Sequence, residues 1–204
     1  MGFGYLLLGF LIWLNPVHAE LTEWLAYTLM LAGTTKLTMY GKGFKISNLI
    51  GFPALIISFV SFIFGGLQLI GMASFDSGIL YNIIKTALLF LGYAYKLAFL
   101  YGIYEITKFT GIDKQSARAI YCMLVYALLF IFEFLMSMRI IPAISTGFAL
   151  LLFASLIIGF VAFFIIFACL RMITLEGDED EVEVEKTVKK SWIKKLKEMS
   201  EEDN

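Results

Sequence analysis

Histidine occurs once in the 204-residue chain, cysteine twice and proline three times, and each scarcity closes off a kind of chemistry. His18 stands alone, and no HExxH, GxSxG, phosphate-binding GxxxxGKS/T or paired-aspartate motif occurs, so neither hydrolysis nor phosphoryl transfer has a visible catalyst. Glu20 and Glu23 lie near His18, but acids in a loop at a membrane surface are ordinarily solvated, so neither a metal nor another cofactor is expected. Cys122 and Cys169 sit in apolar stretches without CxxC or Cys/His spacing, which gives neither a disulfide framework nor a zinc site. They read as packing residues. The chain is therefore expected not to be an enzyme and not to bind nucleic acid.

What is abundant is apolar side chain. At 60% hydrophobic residues and a mean hydropathy of +0.84, the composition lies well above the roughly 45–50% of soluble domains. An all-α polytopic membrane bundle follows, because a helix of about 20 apolar residues crosses the hydrocarbon and satisfies its own backbone there. Six segments read as spanning: residues 2–15, 21–40, 48–73, 79–104, 117–138 and 143–171. They are separated by Asn15-Pro16, Gly41-Lys42-Gly43, Ser74 to Gly78, Thr110 to Asp113 and Arg139 to Pro142. Asp113 is the expected N-cap of the fifth helix. The bundle is assigned to residues 1–173 and a tail to 174–204.

Lys36, Lys42, Lys45, Lys108, Lys114, Arg118 and Arg171 fall in the alternate loops, with six further lysines in the tail. The positive-inside rule puts that side in the cytoplasm, with both termini there if the first segment is kept. A bacterial plasma membrane is the expected location. Val17 and Ala19 would also suit a signal peptidase, so residues 1–19 read either as a cleaved leader or as helix 1. "MGFGY" lacks a positive n-region, which favours retention.

Ionisable groups inside the hydrocarbon cost on the order of 2.5–3.5 kcal/mol each by insertion scales and need a reason. Matching depth along the helices puts Lys85, Glu133, Gln68 and Asn82 in one outer layer. The expectation is a Lys85–Glu133 ion pair, with Gln68, Asn82 and Tyr126 hydrogen-bonding around it. Lys96, deeper on the same helix, lacks an acidic partner at its own depth and reads as snorkelling to the surface. Tyr93, Tyr95, Tyr101 and Tyr104 read as interfacial belt residues. Ala94, Ala98 and Gly102 form a small-xxx-small pattern that permits close helix approach and suggests a central fourth helix.

The tail divides in two. Residues 176–185 form an acidic run without the glycine of a calcium loop, and read as a solvated spacer. Over 186–199, Val188, Trp192, Leu196 and Met199 recur at helical spacing among Lys189, Lys190, Lys194 and Lys195. That is the pattern of an amphipathic helix on an anionic cytoplasmic leaflet. The bilayer is the expected partner, with docking to a membrane or cytosolic protein as the competing use. Two functions remain in view: a non-catalytic assembly or regulatory component, and a small-solute or ion transporter or channel using the Lys85/Glu133 cluster.

Overall fold

The computed structural model describes residues 2–14, 19–70, 79–137 and 145–173, all of it helix and turn. Six helices follow in order: α1 (Gly2–Trp13), α2 (Ala19–Leu37), α3 (Lys42–Leu69), α4 (Ile79–Phe109), α5 (Asp113–Ser137) and α6 (Ser145–Met172). Within α3, α4, α5 and α6 lie spans long and apolar enough to cross a membrane: Lys42–Leu67, Leu80–Phe109, Asp113–Ser137 and Phe153–Met172. α1 is apolar but short, and α2 carries Glu20, Glu23 and Lys36 within 19 residues. The tail, with its acidic spacer and basic amphipathic stretch, lies outside the described residues.

At three helix ends the helix runs well beyond the apolar stretch read for it. α3 begins at Lys42 rather than near 48, α4 continues through Glu105 and Lys108 to Phe109, and α5 begins at Asp113 rather than near 117. Hydropathy marks the stretch that would meet hydrocarbon, whereas the helix continues through polar turns that satisfy their own backbone. The α4–α5 join is short because Gly111, at φ 73°, ends α4 in a Schellman turn. In it the Ile112 N–H donates to Thr107 O at 2.8 Å and the Gly111 N–H to Lys108 O at 3.3 Å. The Ser116 N–H already donates to Ile112 O at 3.1 Å. Ile112 thus holds the capping position, and Asp113 is the first helical residue, where its charge still suits the helix N-terminus.

Consecutive helices pack against one another, and α6 returns to α1, closing a ring. Residue pairings make each neighbour antiparallel. Gly2 meets Leu37 while Gly9 meets Met30 and Ala26; Gly43 meets Gly102 while Gly51 meets Tyr95; Phe90 stacks edge-on to Phe134 while Tyr93 reaches Tyr126. Lys36, Lys42, Lys45, Lys108, Lys114, Arg118 and Arg171 therefore share one end of the bundle.

α4 occupies the middle. It packs on α3, α5 and α6, and its Tyr95 and Phe99 also touch Trp13 and Phe10 of α1 and Tyr27 of α2. Tyr93 and Tyr95 point in opposite directions on a helix, yet both are buried. That corrects their reading as belt residues, since a belt tyrosine needs a lipid-facing side and α4 leaves none at that level. Tyr101, by contrast, is exposed.

Buried hydroxyls inside the bundle mostly bond back to their own helix. Ser47 donates to Phe44 O, Ser58 to Leu55 O and Thr107 to Ile103 O, which spares these hydroxyls from facing hydrocarbon without a partner. The start of α3 is capped from α4, where Glu105 Oε2 accepts the Gly43 N–H at 2.8 Å. Glu105→Ala should cost about 1 kcal/mol, the usual worth of a helix N-cap with a favourable charge. Hydrogen exchange should show the gain in opening confined to the first turn of α3.

Candidate functional site

The site grows from the α4–α5 hairpin. α4 runs toward the basic end and α5 away from it, and the rings of Phe90, Tyr93, Tyr126, Phe130 and Phe134 interdigitate along the seam at centroid distances of 5.1–6.3 Å. Glu133 consequently stands opposite Phe90. Lys85 lies somewhat more than one helical turn to one side of that level, and Lys96 somewhat less than two turns to the other.

Backbone depth alone does not choose between the two lysines. Side-chain direction does. Side chains on a helix lean toward its N-terminus, so on antiparallel α4 and α5 the Lys96 stem and the Glu133 stem lean toward each other, while those of Lys85 and Glu133 lean apart. The Lys96 ammonium sits 4.3 Å from the Trp13 ring centre, 4.8 Å from that of Tyr93 and 5.4 Å from that of Tyr126. Three helices thus supply faces of one aromatic cage. The carboxylates whose fields act on it are Glu133 first and Glu23 second. The Tyr93 hydroxyl also lies within the electrostatic reach of Glu133.

Lys96 therefore does not snorkel to the surface. Lys96 is partly buried, and each cation–π contact contributes about 0.5–2 kcal/mol depending on desolvation, with carboxylate fields adding to that, so the interior position competes with the headgroups. Lys85 is exposed, with its ammonium 4.4 Å from the ring centre of Tyr81 one turn earlier on its own helix. Of the other residues grouped with it by depth, Asn82 is exposed, Tyr126 is buried in the Lys96 cage, and the side chain of Gln68 lies outside the described residues.

Trp13 is the member that depth matching passes over. It belongs to the short first helix, and it touches Phe10, Tyr27 and Tyr95 as well as Lys96. The Tyr27 hydroxyl, wholly buried, has no hydrogen-bond partner among the described residues and abuts Gly92, one turn before Lys96. A glycine at 92 leaves room for it, because an added Cβ would stand 3.2 Å from that oxygen. The signal available in the sequence is the company Lys96 keeps on its own helix, with Gly92 and Tyr93 on the turn before it.

The small residues of α4 lie at two places. Gly102 and Ala98 lie at the crossing with α3, where a Cβ on Gly43 would stand 2.6 Å from Gly102 Cα and 2.8 Å from Ala98 O. Ala94 is partly buried one turn away. A second close crossing joins α1 to α2: a Cβ on Gly9 would stand 2.8 Å from Ala26 O, and one on Gly33 2.8 Å from Gly2 O. Small residues spaced by seven on both helices are its sequence signal. Among the described residues no group of three or more His, Cys, Asp or Glu converges as a metal site would require. No protein-family model, curated protein or solved structure matches the chain significantly, so the reading of the site rests on its geometry.

Proposed function

We propose that the protein is a non-catalytic multi-pass component of a membrane, an assembly or regulatory subunit built around a sealed helical ring. The observation that carries this is the filling of the ring at the level of Lys96. Phe10, Tyr27, Tyr95, Phe99 and Tyr126, contributed by four helices, are each no more than 2% exposed. A conduction path needs polar groups through the whole thickness; here stacked rings occupy it, and the lone ammonium is held by them. The exposed apolar rows of α3 and α6, such as Leu49, Phe52 and Ile56 or Phe153, Phe160 and Phe164, suit a lipid surround.

In this reading α1 and α2 cross as a tightly packed pair, giving six spans. α1 covers only about 18 Å at 1.5 Å per residue, so it relies on α2 and on local thinning. Both termini lie on the basic, cytoplasmic side of a plasma membrane, and the tail helix rests on the anionic leaflet or docks a partner. Small-solute or ion translocation is the second reading, favoured by the approach of Lys96 toward Glu133 and by the Tyr27 hydroxyl, which has no hydrogen-bond partner among the described residues. Reconstituted in proteoliposomes, the purified protein should show neither electrogenic ion flux nor solute counterflow above that of empty vesicles. Robust transport that is lost in Lys96→Met would replace the first reading by the second.

A further inference from the structure

Two adjoining depressions mark the basic end of the α2–α3 corner. The larger, of about 650 Å³, is lined by Thr38, Lys45, Asn48, Leu49, Phe52 and Pro53. The smaller, of about 330 Å³, shares Thr38 and Lys45 with it and continues past Lys42 to Glu105 and Phe109. The larger groove changes character along α3. At its outer end stand Lys45 and Asn48; one to two turns deeper stand Leu49 and Phe52, exposed by 77% and 63%, and then Pro53.

The polar end offers donors. Thr35 Oγ1 donates to Asn48 Oδ1 at 3.1 Å, which engages the acceptor of that amide and leaves its NH₂ to face a ligand. Thr38 Oγ1 donates to Thr35 O at 2.8 Å, so its own proton is committed. Lys45 is exposed. Among the described residues the one acid lining either depression, Glu105, belongs to the smaller and is engaged on the Gly43 N–H. A lining of an ammonium and an amide NH₂, with no carboxylate in the larger groove, selects anionic oxygen. The apolar continuation selects a hydrocarbon chain. The two requirements lie in the order, and about the spacing of one to two helical turns, in which a phosphodiester and its acyl chain follow each other at a membrane boundary.

Pro53 places the groove where it is. Lacking an N–H, it leaves the Leu49 carbonyl without the helical bond it would otherwise accept and puts no side chain beyond its ring on that face. On the other face of the same turn, Gly51 lets α3 close on α2 and α4; a Cβ there would stand 2.6 Å from the Tyr95 ring and 2.7 Å from Leu31. The helix is thus drawn inward on one side and thin on the other.

We propose that this groove is a binding site for one anionic phospholipid, its phosphate held by Lys45 and Asn48 and one acyl chain laid over Leu49, Phe52 and Pro53. The site is separate from the Lys96 cage and does not depend on the protein being a subunit or a transporter. Purified full-length protein in mild detergent should retain one dioleoylphosphatidylglycerol per chain in native mass spectrometry, at concentrations where dioleoylphosphatidylcholine is stripped. Lys45→Gln combined with Asn48→Leu should weaken that retention at least tenfold, and Phe52→Ala several-fold. Lys114→Gln, a cation at the same end but away from the groove, should leave it unchanged. Equal retention of the two lipids would make the contact an ordinary annular one and overturn the proposal. Equal loss in Lys114→Gln would reduce it to general charge attraction and overturn it as well. Competition by millimolar inorganic phosphate as effective as by the lipid would mean an anion site without a chain, and would overturn the acyl assignment.

Discussion

Glu133→Gln should lower the stability of the purified protein by about 2 kcal/mol and Lys96→Met by about 1–2 kcal/mol, while the double variant should lie within about 1 kcal/mol of the parent. These values follow from what each change leaves behind. Glutamine keeps the shape of the side chain but removes the carboxylate charge that acts most strongly on Lys96. The ammonium then depends on Glu23 and on the faces of Trp13, Tyr93 and Tyr126. Methionine keeps most of the length of the lysine stem and fills the cage, but removes the positive charge whose field reaches Glu133. Both groups are partly buried, so removing both charges returns part of the cost of desolvating them, and the double variant should lose less than the sum of the singles. Denaturant unfolding in mild detergent, followed by tryptophan fluorescence, measures all three. Losses that simply add would show that the two groups do not interact, and the cage would then be a matter of packing alone.

The contrast between the two lysines explains how much of the molecule is legible in the sequence. That the described residues form six helices, and that Lys36, Lys42, Lys45, Lys108, Lys114, Arg118 and Arg171 gather at one end, follows from apolar runs interrupted by glycine, proline and lysine. Each of those signals is local. Which lysine leans toward Glu133 is not local. Lys85 and Lys96 both lie within two turns of it by backbone depth, and only the opposed lean of side chains on antiparallel helices separates them. Trp13 is harder still, since nothing in residues 2–15 indicates that a helix of 12 residues lies against α4 at Tyr95. Tyr93 and Tyr95 mislead for a related reason: a tyrosine near a membrane boundary is a belt residue only if its side of the helix is peripheral, and the sides of α4 that carry these two are packed against other helices. The small-xxx-small pattern at Ala94, Ala98 and Gly102 can be read because it depends only on residue size. Its counterpart, Gly43, cannot, because partner identity is set by the turn that brings α3 back beside α4.

That crossing supports the second large effect. Gly43→Ala should destabilise the bundle by about 3 kcal/mol or more, even though alanine is the better helix former. Propensity favours the substitution by about 1 kcal/mol in a helix interior. Against it, the new methyl would overlap the backbone nitrogen of Gly102 and stand 2.6 Å from its Cα and 2.8 Å from Ala98 O. All three are backbone atoms, so no rotamer change relieves the contact. The helices must separate, and separation pulls Glu105 from the Gly43 N–H and Phe44 from Gly102, to whose Cβ position its ring comes within 2.8 Å. Overpacking alone costs about 1–3 kcal/mol, occasionally more, and loss of the cap adds about 1 kcal/mol, which together exceed the gain in propensity. Gly4→Ala is the matched control: nothing stands within 4 Å of a Cβ at Gly4, so there the propensity term acts alone and the variant should be as stable as the parent or up to about 1 kcal/mol more so. Thermal unfolding of the two variants side by side in one detergent decides the matter. If Gly43→Ala melted with Gly4→Ala, α3 and α4 could not approach as closely as the crossing requires, and the route by which Glu105 reaches the start of α3 would have to be redrawn.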